Sequence, residues 1–369
     1  MMQRLQHAPP TGPPAPAVVD DNACADENAR GGKKARQIRW YRTPIEPQLP
    51  RKLNRRSDVL GAAQTLGFLG AYAATAGLAT YSAAQWNGYV TAPLVFLHGT
   101  VAAFMINGVH ELGHNTVFRS RWLNGMFVRV LAFLGWINFQ IFGQSHGRHH
   151  AYTLHPPDDL EVVLPIKLAV RHFFARGFIN VPGFLATVRD TVRIAVGRFQ
   201  GDWELTLYPQ DDAHRRRAAV RWARALLIGH GLIMTVSLAL GWWMVPVLVT
   251  LGPFYGGWLF FLCNNTQHIG LKDNVPDFRL YCRTIHLNPL VRLLYWQMNY
   301  HTEHHMYPTV PCYRLGRLHR AVAPDLPPCP RGLLQTWRQI AAILRKQRDD
   351  PAYQYQAIIP VRPSLTGGF

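Results

Sequence analysis

The chain has 369 residues, of which 48% are hydrophobic and 16% are charged, and 39 Lys and Arg against 21 Asp and Glu give a net charge of +18. This composition excludes a mainly disordered chain, because such chains are poor in apolar residues. The five cysteines form no closely spaced pair, which argues against a disulfide framework and against a zinc site built from cysteines.

The N-terminal part divides into two segments of different composition. Residues 1–32 are rich in Pro, Ala and Gly, which is typical of a disordered tail. They lack the basic-then-apolar order of a signal peptide, so we expect the first membrane span to remain uncleaved. Residues 33–58 carry many Lys and Arg and are predicted to form a basic segment beside the membrane.

Two long runs of the chain contain no Asp, Glu, Lys or Arg. They cover 59–109 and 225–271, and each is long enough for two membrane spans of about 20 residues joined by a short turn. We therefore predict an all-α integral membrane protein with two helical hairpins, with spans at 59–81, 89–109, 225–245 and 247–267. A buried hairpin in a large soluble core is the alternative.

A third apolar stretch, 130–144, is shorter and fits an interfacial or re-entrant helix better than a full span. The polar segment 145–221 follows it. The membrane domain is expected over 59–320, and the C-terminal segment 321–369 is expected to contribute to a cytoplasmic helical cap, with a helix near 331–349.

The basic residues cluster next to the predicted spans, before 59 and before 225. This placement is the positive-inside pattern of membrane proteins, and it argues against nucleic acid as the partner. Both hairpin turns are uncharged, as expected for translocated loops. We therefore expect both termini and the histidine clusters described next to lie on the cytoplasmic side.

Nine of the 17 histidines are candidates for one shared site. The first two clusters and His268 follow apolar stretches, and the third cluster lies in the predicted cytoplasmic part, from which it can fold back to meet them. Residues three or four apart share one face of a helix, so the imidazoles within each cluster can converge. Eight or nine imidazoles are too many for one ion and fit two metal ions. The clusters are His110 and His114 in "HELGH"; His146, His149 and His150 in "HGRHH"; the single His268 in "NNTQH"; and His301, His304 and His305 in "HTEHH".

Two other interpretations of these histidines remain open. The "HELGH" sequence matches the H-E-x-x-H helix of zinc metalloproteases, but such a site leaves both H-x-x-H-H clusters unexplained. The other interpretation is a histidine-rich metal-binding or transport protein without oxidative chemistry. Transporters usually place their ligands near the bilayer midplane, whereas these clusters are predicted at the membrane edge.

The three histidine boxes, in this order around two membrane hairpins, resemble the membrane-bound fatty acid desaturase superfamily, which also contains lipid and hydrocarbon hydroxylases. The resemblance covers roughly 59–320. His268 matches an additional histidine found after the fourth span in that superfamily, and Asn264 matches an asparagine that reaches a metal through water there.

This resemblance implies two non-haem irons, with the nine histidines as ligands and no catalytic side chain beyond the metal centre. Molecular oxygen is the implied co-substrate, and a lipid or acyl chain the implied substrate. Electrons are expected from a separate donor of the ferredoxin, rubredoxin or cytochrome b5 type. Desaturation is the favoured outcome, and hydroxylation on the same scaffold is the alternative. Four carboxylates are candidate outer partners of the imidazoles: Glu111, Glu303, Asp158 and Asp159.

Overall fold

The computed structural model describes residues 36–166 and 168–360, so the predicted tail at 1–32 lies outside the described residues. Within these ranges the chain is helical, and its only β-type pairings are isolated bridges. The α-helices, in chain order, are α1 Gln48–Leu53, α2 Asp58–Gln85, α3 Gly88–Ala102, α4 Met105–Gly113, α5 Arg121–Leu134, α6 Phe139–Tyr152, α7 Val170–Gly177, α8 Val181–Ala195, α9 Gly201–Leu207, α10 Ala213–Ala239, α11 Trp258–Asn264, α12 Phe278–Tyr281, α13 Pro289–Leu294, α14 His301–Met306, α15 Leu315–Val322 and α16 Gly332–Asp349. Single turns of other helix types cover Pro246–Thr250, Gly252–Phe254, Cys312–Arg314 and Ala323–Asp325.

Three helical stretches are long and apolar enough to cross a membrane: α2, the joined pair α3 and α4, and α10. In the most apolar part of α2 and of α10, only 22% of the residues are buried inside the protein. Their apolar side chains therefore face outward, as expected for contact with lipid. The first predicted hairpin corresponds to α2 and the joined pair α3 and α4, with Ser57 capping α2 and Asn87 capping α3 through side-chain acceptors. The chain is an all-α membrane protein.

The second predicted hairpin differs from the expectation in its return segment. Residues 247–267 form no continuous helix: a π-helical turn, a 3₁₀ turn and the seven-residue α11 follow one another. Pro246, Pro253 and the positive φ of Gly256 interrupt the helical backbone here. The span before it, α10, begins at 213 rather than 225, so its first turns carry the basic cluster.

The apolar stretch predicted at 130–144 is a sharply bent helix pair. The axes of α5 and α6 differ by 109°, and the bend is made by Gly135, Trp136 and Ile137 before Asn138 caps α6. The indole N–H of Trp136 donates to the Thr250 carbonyl at 2.9 Å. A bend of this size is the geometry of a broken span or a re-entrant loop, and the interfacial or re-entrant placement expected from length stays a prediction.

An N-terminal strap, residues 36–45, crosses the helical cap formed by α12–α16. The hydroxyls of Tyr41 and Thr43 both donate to Oδ2 of Asp325 at 2.7 Å. Arg279 pairs with the same carboxylate at 2.9 Å, and Trp40 stacks on Phe278 with ring centroids 4.9 Å apart. The strap is thus joined to a part of the chain more than 280 residues later.

The helix expected near 331–349 is confirmed as α16. Its Trp337 donates to the Leu262 carbonyl in α11 at 3.0 Å, so α16 packs against the broken return segment.

We predict that Gly256→Ala destabilises the protein more than Gly241→Ala. Both glycines have positive φ, +69° and +74°, which costs a residue with a Cβ about 1–2 kcal/mol. A Cβ at Gly256 would also stand 2.4 Å from the Phe96 carbonyl oxygen, whereas one at Gly241 meets nothing within 4 Å. The added clash is expected to cost about 1–3 kcal/mol more. Thermal unfolding in detergent micelles measures the difference, and equal midpoints for the two variants would contradict it.

Candidate metal centre

Five histidines from three helices form what we call the first histidine group. Their nearest ring nitrogens all lie within 4.8 Å of one another. The i, i+4 spacing on α4 and on α6 turns two imidazoles of each helix to the same side, and the cap helix α14 supplies the fifth. The members are His110, His114, His146, His150 and His304.

The second histidine group contains His268, His301 and His305 together with the thiol of Cys282, again with donor atoms within 4.8 Å of one another. His149 lies beside this group, with its ring centroid 5.0 Å from that of His305 and 5.4 Å from that of His268. All nine histidines singled out from the sequence are therefore brought together.

The two groups are neighbours. The ring of His150 lies 4.8 Å from that of His304 in its own group and 4.5 Å from that of His305 in the other. The two histidines of "HELGH" thus join a larger assembly, and Glu111 is fully buried with Oε1 accepting from Nδ1 of His110 at 3.0 Å. A protease centre with two histidines and one further ligand does not match this arrangement.

Within each group, the imidazole nitrogens of two histidines face each other. Nε2 of His146 and Nε2 of His150 lie 2.9 Å apart, and the same holds for His268 and His301. The Nε2 atoms of His110, His114 and His305 are buried without a hydrogen-bond partner. Unsatisfied buried polar atoms are costly, and shared coordination to a metal ion would satisfy them. The donor set therefore fits metal ions of the kind that imidazole binds.

Burial favours the neutral form, which metal ligation requires, in the three histidines of the last box. Burial, reinforced by neighbouring imidazoles, lowers the pKa of His301, His304 and His305 well below the usual value. Burial is also the main cause that lowers the pKa of His268 to about 3.

Carboxylates, one buried and one half-buried, orient several of these rings from the outside. Asp159 accepts from Nδ1 of His149 at 2.8 Å, and Glu161 accepts from Nδ1 of His146 at 2.9 Å. A carboxylate on the second ring nitrogen fixes the tautomer of a metal-ligating histidine, so that Nε2 carries the lone pair. For His268, the acceptor from Nδ1 is a backbone group, the Tyr281 carbonyl oxygen, at 2.8 Å.

Two of the candidate outer carboxylates are paired away from the box histidines, and the water-mediated contact expected of Asn264 stays a prediction. Glu303 accepts from His319 and Thr284 instead of a box histidine. Asp158 lies 3.7 Å from Arg148. For Asn264, the last residue of α11, the hydrogen bond described involves its backbone carbonyl and Gln267.

Sequence reasoning missed two residues beside the centre, Glu161 and Cys282. Glu161 belongs to the acidic stretch "DDLE" after the second box, and an acidic residue that close to a histidine box was a usable signal. Cys282 stands alone among unrelated residues, and no spacing pattern indicates it.

Comparison with known proteins agrees with this geometry. The family model described as "Fatty acid desaturase" matches residues 84–337, which include every histidine of the two groups. The chain is also 26% identical over 265 residues to the sn-1 oleoyl-lipid 12-desaturase of Picosynechococcus sp., a match that covers 65% of this chain and 70% of that protein. Outward-facing apolar helices, converging histidines and the extent of the family match lead to one conclusion: the chain belongs to the fatty acid desaturase family.

Proposed function

We propose that this protein is an oxygen-dependent desaturase of acyl chains in membrane lipids, with one iron in each histidine group. The observation that carries the proposal is the convergence of eight histidines into two adjacent groups, with His149 beside the second, and the burial of several of their Nε2 atoms without a hydrogen-bond partner. The cyanobacterial relative is named for action on an oleoyl lipid, which supports a lipid-borne acyl chain as the substrate class. Two irons there would supply the activation of O₂ needed to remove hydrogen from an unactivated C–H bond.

The protein's own part in this chemistry is to hold and insulate the ligands. Carboxylates on His110, His146 and His149 keep three rings turned so that Nε2 faces inward. His301 and His305 of the second group are 3% and 2% exposed and His268 is 4% exposed, so water has little access to this group. Such exclusion of water limits side reactions of a strong oxidant.

The proposed orientation places the basic face and both termini in the cytoplasm, where a separate electron donor is available. A shallow pocket on the first turns of α10 is lined by Arg216, Arg217, Arg221 and Arg224. We propose that this face binds an acidic donor of the ferredoxin, rubredoxin or cytochrome b5 type, because complementary charge speeds association.

We predict that His305→Ala abolishes desaturation, because it removes a ligand from the second group. The measurement is mass-spectrometric profiling of lipids from a host that expresses the protein with a redox partner. Wild type and the control His214→Ala, an exposed histidine on α10, should both produce lipids that lack two hydrogens. Full activity in His305→Ala would contradict the assignment of this ligand. If the wild type instead produced lipids that gain one oxygen, the reaction would be hydroxylation and not desaturation.

We predict that Glu161→Gln lowers iron affinity by about 10–100-fold, the usual effect of losing an outer partner of a ligand. Asp158→Asn is the matched control: it lies three residues earlier, and its carboxylate pairs with Arg148 rather than with an imidazole. Iron content after dialysis against a graded chelator measures the affinity, and the melting temperature of the metal-free protein separates it from folding. Equal iron retention in the two variants would contradict the role of Glu161.

We predict that the double variant Arg217→Glu/Arg221→Glu raises the KM for an acidic electron donor and flattens the dependence of turnover on salt. Both arginines are exposed, whereas Arg216 donates to the Tyr208 carbonyl and is better left intact. Arg345→Glu, exposed on α16, is the charge-matched control. Steady-state kinetics at several ionic strengths test this, and an unchanged KM in the double variant would refute the docking face.

A further inference from the structure

Three potential metal ligands meet outside the two histidine groups. His286 precedes α13, His319 lies on α15 and Cys329 precedes α16, and their donor atoms lie within 4.8 Å of one another. We call them the accessory triad. They come from three segments of the cap that are separated by 33 and 10 residues in the chain.

Backbone contacts fix two of these segments against each other. The N–H of His286 donates to the Pro330 carbonyl at 2.9 Å, and the N–H of Gly332 donates to the His286 carbonyl at 2.8 Å. The rings of His286 and His319 lie 5.3 Å apart. The triad is therefore held by the fold itself, which lowers the entropic cost of binding an ion.

His319 has the hydrogen-bond arrangement of a metal-ligating histidine. Its Nδ1 donates to Oε1 of Glu303, a carboxylate with no exposed surface. The other oxygen of that carboxylate accepts from the Thr284 hydroxyl. A histidine whose Nδ1 donates to a buried carboxylate presents the Nε2 lone pair to a metal. Both oxygens of the Glu303 carboxylate thus have hydrogen-bond partners outside the two histidine groups.

We propose that His286, His319 and Cys329 bind a zinc ion, separate from the two irons and with a fourth position open to water. One thiolate and two imidazoles are a donor set that zinc prefers. Zinc bond lengths place neighbouring tetrahedral donors about 3.3–3.6 Å apart, so the triad needs only a small contraction. His286 is exposed, which gives the ion access from solvent.

The Cys329 thiol must lose its proton before its sulfur can bind the ion. Sγ of Cys329 lies 3.6 Å from the Pro327 carbonyl, to which it donates weakly. In the metal-free protein, burial and the nearby Glu303 raise the pKa of Cys329 to about 12. The ion therefore displaces the thiol proton to water when the zinc–sulfur bond forms, as is usual for thiolate ligands.

The proposed ion would have a structural effect on the iron ligands. It would join the segment at 286, helix α15 and the loop before α16, and it would fix the ring of His319. Through that ring it would hold Glu303, which lies on α14 between His301 and His304. Zinc in the triad would thus stiffen the helix that carries the last histidine box.

Cobalt(II) is the probe, because thiolate coordination gives it a near-ultraviolet charge-transfer absorption that all-nitrogen coordination lacks. Cobalt is titrated into the iron-loaded, full-length protein in detergent, and zinc is then added as competitor. Wild type should develop the absorption with one equivalent of cobalt and lose it when zinc is added. Cys329→Ala should lack it, and Cys282→Ala, which removes the thiol of the second group, should retain it.

His286→Ala supplies a second test at an exposed position where a folding defect is not expected. It should weaken cobalt binding at least tenfold, while His214→Ala should leave it unchanged. Three results would overturn the proposal: no thiolate absorption in wild type, an absorption that Cys282→Ala removes and Cys329→Ala keeps, or unchanged affinity in His286→Ala.

Discussion

Closely gathered buried imidazole nitrogens, several of them without a hydrogen-bond partner, are the constraint on which the rest of this structure depends. Nε2 of His146 and His150, and of His268 and His301, face each other at 2.9 Å. Leaving such groups unsatisfied is unfavourable, and gathering them in one place requires segments as distant in the chain as His110 and His305. The fold brings the histidines together through the bent helices, the broken return segment and the cap.

The bend between α5 and α6 allows the first two histidine boxes to meet. His110 ends one membrane-crossing stretch and His146 lies 36 residues later, yet their ring centroids are 4.1 Å apart. A straight crossing by the intervening apolar residues would have placed them on opposite sides of the membrane. The 109° turn returns the chain to its starting level. The broken segment after α10 similarly ends in His268 at the second group.

The sequence predicts the membrane helices and the histidine clusters because both are local patterns: absence of charge over 20 residues, and spacing of three or four. It does not predict the broken segment 247–267, since low charge reports where the chain is apolar and not whether its backbone is helical. Glu303 shows a second limit. On a helix, the position two residues after His301 points roughly 200° away from it, so adjacency in the chain does not give adjacency in space. Cys282 meets the second group only through tertiary packing.

The strap has a consequence for the order in which the molecule can be completed during synthesis. Thr43 leaves the ribosome early, but its partner Asp325 follows 282 residues later. His305, the last of the nine histidines, precedes Asp325 by only 20 residues. Contacts between such distant residues form late, because a long loop must close first. The ligand set is therefore complete only shortly before the strap can dock over the cap, so these two steps follow one another closely during synthesis.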